Sequence, residues 1–188
     1  MIIGLSGKAG SGKDLCADYL VSNYHFTKLS FASELKDMLA MLFGWNRTTL
    51  DGLTPEDRAW REQIDTYWAT TLNIPHFTPR YAMQYIGTDL FRDRFSPNFW
   101  AAIIDHRISK TSGDIVVSDV RFENEYELIK KHNGIVFCIN RNACKQDLHA
   151  SEQVPKQYDY RISNNGSLEE YYSHIDRYIL VSRLTSDS

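Results

Sequence analysis

The stretch Gly7-Lys8-Ala9-Gly10-Ser11-Gly12-Lys13, followed by Asp14, constrains this chain more than any other. It fits the phosphate-loop pattern G-x-x-x-x-G-K, with an aspartate where a serine or threonine usually follows the lysine. The run before it, residues 1–6, is short and apolar, as a buried parallel strand would be. The run after it, residues 14–23, predicts a helix with Leu15, Tyr19 and Leu20 on one face. Strand, glycine turn and helix start are the context the motif needs. Glycines let successive backbone N–H groups curl around a phosphate, and the helix N-terminus adds positive potential. Lys13 then supplies a full charge to the β- and γ-phosphates. The alternative is a glycine turn ahead of an ordinary helix.

The 188 residues suit one domain with a real core, here read as a single unit over 1–188. Residues 1–43 and 113–184 supply the sheet and its helices, and 44–112 a helical acceptor-binding insert. The formal net charge of −3 offers no global positive field for duplex nucleic acid, so no nucleic-acid partner is expected. Of the three cysteines, Cys16 and Cys138 fall in segments expected to be buried, and Cys144 in a polar loop. None has C-x-x-C spacing, which points to reduced packing residues in the cytoplasm. No apolar run has membrane-spanning length, and Met1 leads directly into a core strand with no signal peptide.

Residues 26–31 read as a second strand, followed by a helix capped by Ser33 with Leu35, Met38, Leu39 and Leu42 inward. Lys36 lies off that stripe as a candidate substrate contact. The middle of the chain repeats one device: Thr54-Pro55, Thr78-Pro79 and Ser96-Pro97 each set a capping hydroxyl before a proline. This device predicts three helices, over 55–71, 79–93 and 97–110. Arg80 and Gln84 share a face of the second, with Gly87 and Thr88 one turn on, a set able to reach a phosphate and a base edge. Phe99 and Trp100 read more readily as core than as a stacking platform.

From Gly113 the pattern becomes β. Residues 114–119 end a β-branched run on a carboxylate, Asp119, where a phosphate-loop enzyme keeps the acid near its magnesium. Arg121 comes next, then a helix over 123–132, a strand over 135–139 leading into Arg141, and a short strand over 160–163. Ser167 and Glu170 have capping-box spacing for a last helix with Leu168, Tyr171, Ile175, Tyr178 and Ile179 inward. His149 and Glu152 lie three apart, but no second pair completes a zinc site. Five strands separated by helices make an α/β fold with a parallel sheet, and the site belongs at the strands' carboxyl ends. No N-K-x-D guanine signature marks a switch GTPase. Instead, Lys8, Lys13, Arg121 and Arg141 can surround a migrating phosphoryl group, and the helices carrying Arg80 and Arg92 can close over an acceptor.

Several blocks in order carry a family resemblance: residues 7–14 with Ala17-Asp18, Phe31-Ala32 with Leu35-Lys36, and Arg80, Gln84, Gly87-Thr88-Asp89 and Arg92. Pro97 with Trp100, residues 118–122 with Asn124-Glu125, His149 with Ser151-Glu152, and Asn164-Asn165-Gly166 complete the set. Together they resemble the bacteriophage-type deoxynucleoside monophosphate kinases. The resemblance implies a P-loop kinase fold and the reaction ATP + dNMP → ADP + dNDP with Mg²⁺. It further implies a homodimer acting in the host cytoplasm. Carried over by position, Lys8 and the Gly10–Lys13 backbone hold ATP, Asp14 and Asp119 organise magnesium or orient the acceptor phosphate, and Arg121 and Arg141 clamp the phosphates. Lys36, Arg80, Gln84, Thr88, Arg92, Trp100 and Glu152 line the dNMP pocket. The family commonly has a threonine after Gly-Lys-Asp; Leu15 stands there, which shifts magnesium ligation towards Asp14. Two rival readings are another small-molecule kinase, of dephospho-coenzyme A or phosphomevalonate type, and a nucleotide-binding module without transfer activity.

Overall fold

The first strand, β1 (Ile2–Ser6), lies at the centre of a five-stranded, all-parallel sheet of order β2-β3-β1-β4-β5. The other strands are β2 (Thr27–Leu29), β3 (Ile115–Val117), β4 (Ile135–Asn140) and β5 (Tyr160–Ser163). β1 pairs with β3 through Ile2↔Ile115 and with β4 through Ile3↔Ile135. Its position explains its composition: a strand covered on both faces and flanked on both edges reads as a continuous apolar run. The computed structural model describes residues 1–142 and 154–186, the side chains of 184–186 excepted.

The chain forms two compact units, residues 1–30 with 101–188, and residues 31–100. The first holds the sheet with α1 (Lys13–Tyr24), α6 (Phe99–Lys110, from Ala101 on), α7 (Glu123–Lys131) and α8 (Leu168–Ser186). Its core joins Ile3, Leu5, Phe137 and Ile139 of the sheet to Cys16, Ala17 and Leu20 of α1 and Tyr171, Ile175 and Ile179 of α8. Leu15, expected on the buried face of α1, is instead 38% exposed, because that face runs through Cys16, Ala17 and Leu20. Leu168 is likewise exposed, at the very start of α8. The Ser167–Glu170 capping box forms as its spacing predicts, with Ser167 N donating to Glu170 Oε2 (3.0 Å) and Glu170 N to Ser167 Oγ (3.2 Å). Among the described residues no helix is long and apolar enough to cross a membrane.

The second unit is helical. It contains α2 (Ser33–Phe43), a 3₁₀ turn (Thr49–Asp51), α3 (Pro55–Arg61), α4 (Thr66–Thr71), α5 (Pro79–Gln84) and a π-helix (Tyr85–Phe95). Ser33 is the first residue of α2 rather than its cap; Ala32 holds that position. The helix expected over 55–71 breaks in two. Asp65 caps α4 by accepting from Trp68 N (3.1 Å), and its second oxygen accepts from Trp45 Nε1 (2.8 Å). These bonds sit beside an aromatic cluster in which Phe43 stacks on Trp45 (4.6 Å) and meets Trp68 and Phe77 edge-on (5.2 Å each). Such pairs contribute about 0.5–1.5 kcal/mol beyond their buried area, which lets short helices share one core.

Candidate active site

The carboxyl ends of the parallel strands bring Gly7, Ser30, Asp119, Asn140 and Asn164 to one edge of the sheet. The phosphate loop leaves β1 there and turns into α1 at Gly12, whose φ of 103° lies in the left-handed region. A Cβ at Gly12 would also fall on the Asn164 side-chain amide. No side chain caps α1, so the loop's N–H groups and the helix dipole, equivalent to roughly half a positive charge, face whatever binds the loop. Lys13 Nζ donates to Gly7 O (2.7 Å) and Lys8 O (3.0 Å), which holds the ammonium over the loop. Lys8 and Gly10 are exposed and Ser11 is buried. The Ser6 and Ser11 hydroxyls are buried with no hydrogen-bond partner among the described residues. This cradle of inward donors fits a polyphosphate.

Asp119 lies just beyond β3, and its Oδ2 accepts from Ser30 Oγ (2.8 Å) at the end of β2. Sequence reasoning gave Ser30 no role; its only signal was its place at a strand end. Asp14 sits exposed in the first turn of α1, 3.8 Å from Lys28, which pairs more closely with Asp18 (2.8 Å). Among the described residues no three His, Cys, Asp or Glu side chains gather into a metal cage. Mg²⁺ does not need one, since it is bound by one or two carboxylates completed by water and substrate phosphates. The hard oxygens of Asp119, Ser30 and Asp14 match that donor chemistry.

Arg121 is placed by a buried acid. Glu125, 1% exposed, accepts from Arg121 N (2.8 Å) and Phe122 N (3.2 Å), tying down the turn into α7. Two backbone donors offset much of the cost of burying a carboxylate. Arg141 is exposed directly after β4. Cys16 is buried in α1, and burial pushes its thiol up to about 12, so it is a packing residue rather than a nucleophile. Cys138 is buried and free in the same unit.

The remaining predicted residues, Glu152 apart, belong to the helical unit. Arg80 and Gln84 are half-buried on α5, and Arg80 Nε bonds Glu62 Oε1 (2.9 Å). Lys36 pairs with Asp51 (3.0 Å), which also takes Arg47 (2.8 Å). Burial pushes the Asp51 carboxyl up, but hydrogen bonds from Arg47 and Lys36 outweigh it and hold the group below its ordinary value. Thr88 and Arg92, 6% and 8% exposed, lie on the π-helix, with Arg92 Nη1 donating to Pro97 O (3.3 Å). π-helical turns are rare and frequent at functional sites. This one carries the whole Gly-Thr-Asp…Arg block, where the sequence predicts an ordinary helix to residue 93. Trp100 is 6% exposed and its Nε1 donates to Gly87 O (2.8 Å). Its indole therefore braces the π-helix from behind, in keeping with its reading as core. A Cβ at Gly87 would press on Leu35 Cδ2 at 2.5 Å, so a larger residue there would have to displace that side chain. Cys144, His149, Ser151 and Glu152 lie outside the described residues.

Comparison with known proteins supports the same chemistry. A family model described as deoxynucleotide monophosphate kinase matches residues 58–175, more than half of the chain. The chain is 34% identical to the putative deoxynucleotide monophosphate kinase of Acanthamoeba polyphaga mimivirus, over 93% of this chain and 94% of that protein. It is 27% identical to the deoxynucleotide monophosphate kinase of Enterobacteria phage T4, over 93% of this chain and 96% of that protein. Its identity to the deoxynucleoside-5'-monophosphate kinase of Escherichia phage T5 is 25%, over 84% and 86% of the two. With a parallel sheet, a phosphate cradle and a strand-end carboxylate, the chain belongs to the deoxynucleotide monophosphate kinase family.

Proposed function

We propose that this chain transfers the γ-phosphoryl group of ATP to the 5'-phosphate of a deoxynucleoside monophosphate, releasing ADP and the diphosphate. The observation that carries the proposal is the phosphate loop with Lys13 poised over its carbonyls, in a chain of this family. An acceptor phosphate oxygen forms the new O–P bond as the bond from the γ-phosphorus to the β,γ-bridging oxygen breaks, and the electron pair leaves with ADP. The acceptor is already anionic, so no strong general base is needed. Catalysis is then a matter of position and charge.

Backbone N–H groups of Gly10, Ser11, Gly12 and Lys13 hold the donor phosphates, with Lys8 at the loop's exposed side. The Lys13 ammonium neutralises the group in flight, and Arg121 and Arg141 clamp its oxygens. Asp119 and Asp14 are the carboxylates that would hold Mg²⁺, which would supply positive charge to neutralise the donor phosphates. Lys36, Arg80, Gln84, Thr88 and Arg92 receive the deoxynucleotide. The Arg80–Glu62 pair does not oppose this: Glu62 is exposed, and such pairs are worth about 0–1 kcal/mol. A phosphate dianion competes with that exposed carboxylate for the guanidinium. The reading extends to action in a host cytoplasm and to a homodimer, the latter tested by sedimentation of the purified protein.

The deciding experiment is a coupled assay of ADP formation across the four deoxynucleoside monophosphates and modified pyrimidines. ADP should appear only when an acceptor is added. Hydrolysis that ignores the acceptor, or no turnover with any of them, overturns the proposal.

A further inference from the structure

The phosphate loop is held from outside by two side chains more than 150 residues further along the chain. Asn164 Nδ2 donates to Ser11 O (2.8 Å, 153 residues apart) and Tyr171 Oη to Gly12 O (3.0 Å, 159 residues apart). A peptide unit is planar and trans, so its N–H points opposite to its C=O. Fixing Ser11 O on the outer side therefore aims Gly12 N–H inward, and fixing Gly12 O does the same for Lys13 N–H. Those are two of the loop's phosphate donors. We propose that Asn164 and Tyr171 are positioning residues for the donor nucleotide, setting the two peptide planes on either side of Gly12 so that their N–H groups converge on its phosphates.

Both side chains are themselves fixed. Asn164 N donates to Asn140 O (2.8 Å), a bond of the last β4–β5 pair, Asn140↔Ser163. Tyr171 is 1% exposed within the sheet core and packs against Cys16 of α1. They also occupy the place a side chain at Gly12 would need: its Cβ would overlap the Asn164 amide and lie 3.6 Å from the Tyr171 hydroxyl. The glycine is thus favoured twice, by its φ of 103° and by the Asn164 amide seated over it. Gly12 O also accepts the first helical bond from Cys16 N (3.0 Å), so Tyr171 adds a second donor to a carbonyl that the α1 ladder already engages, whereas Ser11 O takes the Asn164 amide ahead of that ladder. Preorganised donors bind better than donors that must first be turned.

The inference rests on the loop being the ATP site, and the test separates the two. Lys13→Ala, Tyr171→Phe and Asn164→Ala are compared with wild type for ATP affinity by calorimetry, for dNMP KM and for melting temperature. Asn165→Ala is the control: it sits in the same turn, accepting from Asn142 N and donating to Ser163 Oγ, with no bond to the loop. Tyr171→Phe removes one hydroxyl from a ring that stays packed, so it decides the matter if Asn164→Ala does not fold. Expected is a loss of about tenfold in ATP affinity for each clamp variant, from weakened charge-assisted bonds, with dNMP KM within about twofold of wild type and the control unchanged. Folded Tyr171→Phe that binds ATP as wild type does, or a loss shared equally between ATP and dNMP, overturns the clamp. Undiminished ATP affinity in Lys13→Ala instead overturns the loop as the donor site.

Discussion

Asp119 is proposed as a magnesium-organising acid on two features: it lies just beyond the carboxyl end of a strand in a parallel sheet, and the Ser30 hydroxyl donates to its Oδ2. Asp119→Asn keeps the shape and the contact with Ser30 while removing the charge. Turnover should fall by about a hundredfold or more with little change in melting temperature, and raising Mg²⁺ should recover only part of it. A coupled assay across a magnesium titration checks this, and near-normal turnover would remove Asp119 from the site. Arg80 makes a different prediction, because its partner Glu62 is exposed and the pair adds little to stability. Arg80→Ala should raise the KM for the deoxynucleotide about tenfold while kcat and the KM for ATP stay close to wild type. An unchanged acceptor KM would move that site elsewhere.

Short helices stand only where caps and shared side chains hold them, and Asp65 does both for α4. Asp65→Ala removes the cap and leaves the buried Trp45 indole N–H without its acceptor, a combined cost of about 2–3 kcal/mol. Urea denaturation measures it; a loss under about 1 kcal/mol, the worth of a cap alone, would contradict the double role. Asp51 links the 3₁₀ turn to Lys36 and Arg47, and folding lowers its pKa. Its contribution is complete above the ordinary carboxylate value of about 3.9 and is lost as pH falls through the depressed value. Wild type should therefore lose more stability below about pH 4 than Asp51→Asn does, read from denaturation midpoints across pH. The elements also show what local pattern carries. Buried strands announce themselves by composition, and Thr54, Thr78 and Ser167 cap as their spacing predicts. The break before Asp65 hides inside a continuous polar–aromatic rhythm, and the π-helix keeps the same apolar residues that an α-helix would. The bonds from Asn164 and Tyr171 to the loop span most of the chain, so no window of sequence contains both partners.

At the scale of the whole molecule, the residues proposed for donor and acceptor fall in different compact units: the loop, Asp119, Arg121 and Arg141 in one, Lys36, Arg80, Gln84, Thr88 and Arg92 in the other. Hydrogen exchange should report them separately. ATP alone should slow amides of residues 10–13, and a deoxynucleotide alone those of residues 79–95, since ligands protect what they order. Protection by the deoxynucleotide confined to the sheet unit would contradict this division. The central place of β1 has a consequence for how the protein is made. Its neighbours begin at Ile115 and Ile135, so this apolar strand leaves the ribosome more than a hundred residues before either partner exists. At about 5–20 residues per second, that is on the order of ten seconds of nascent chain in which the strand has no sheet partner to cover it.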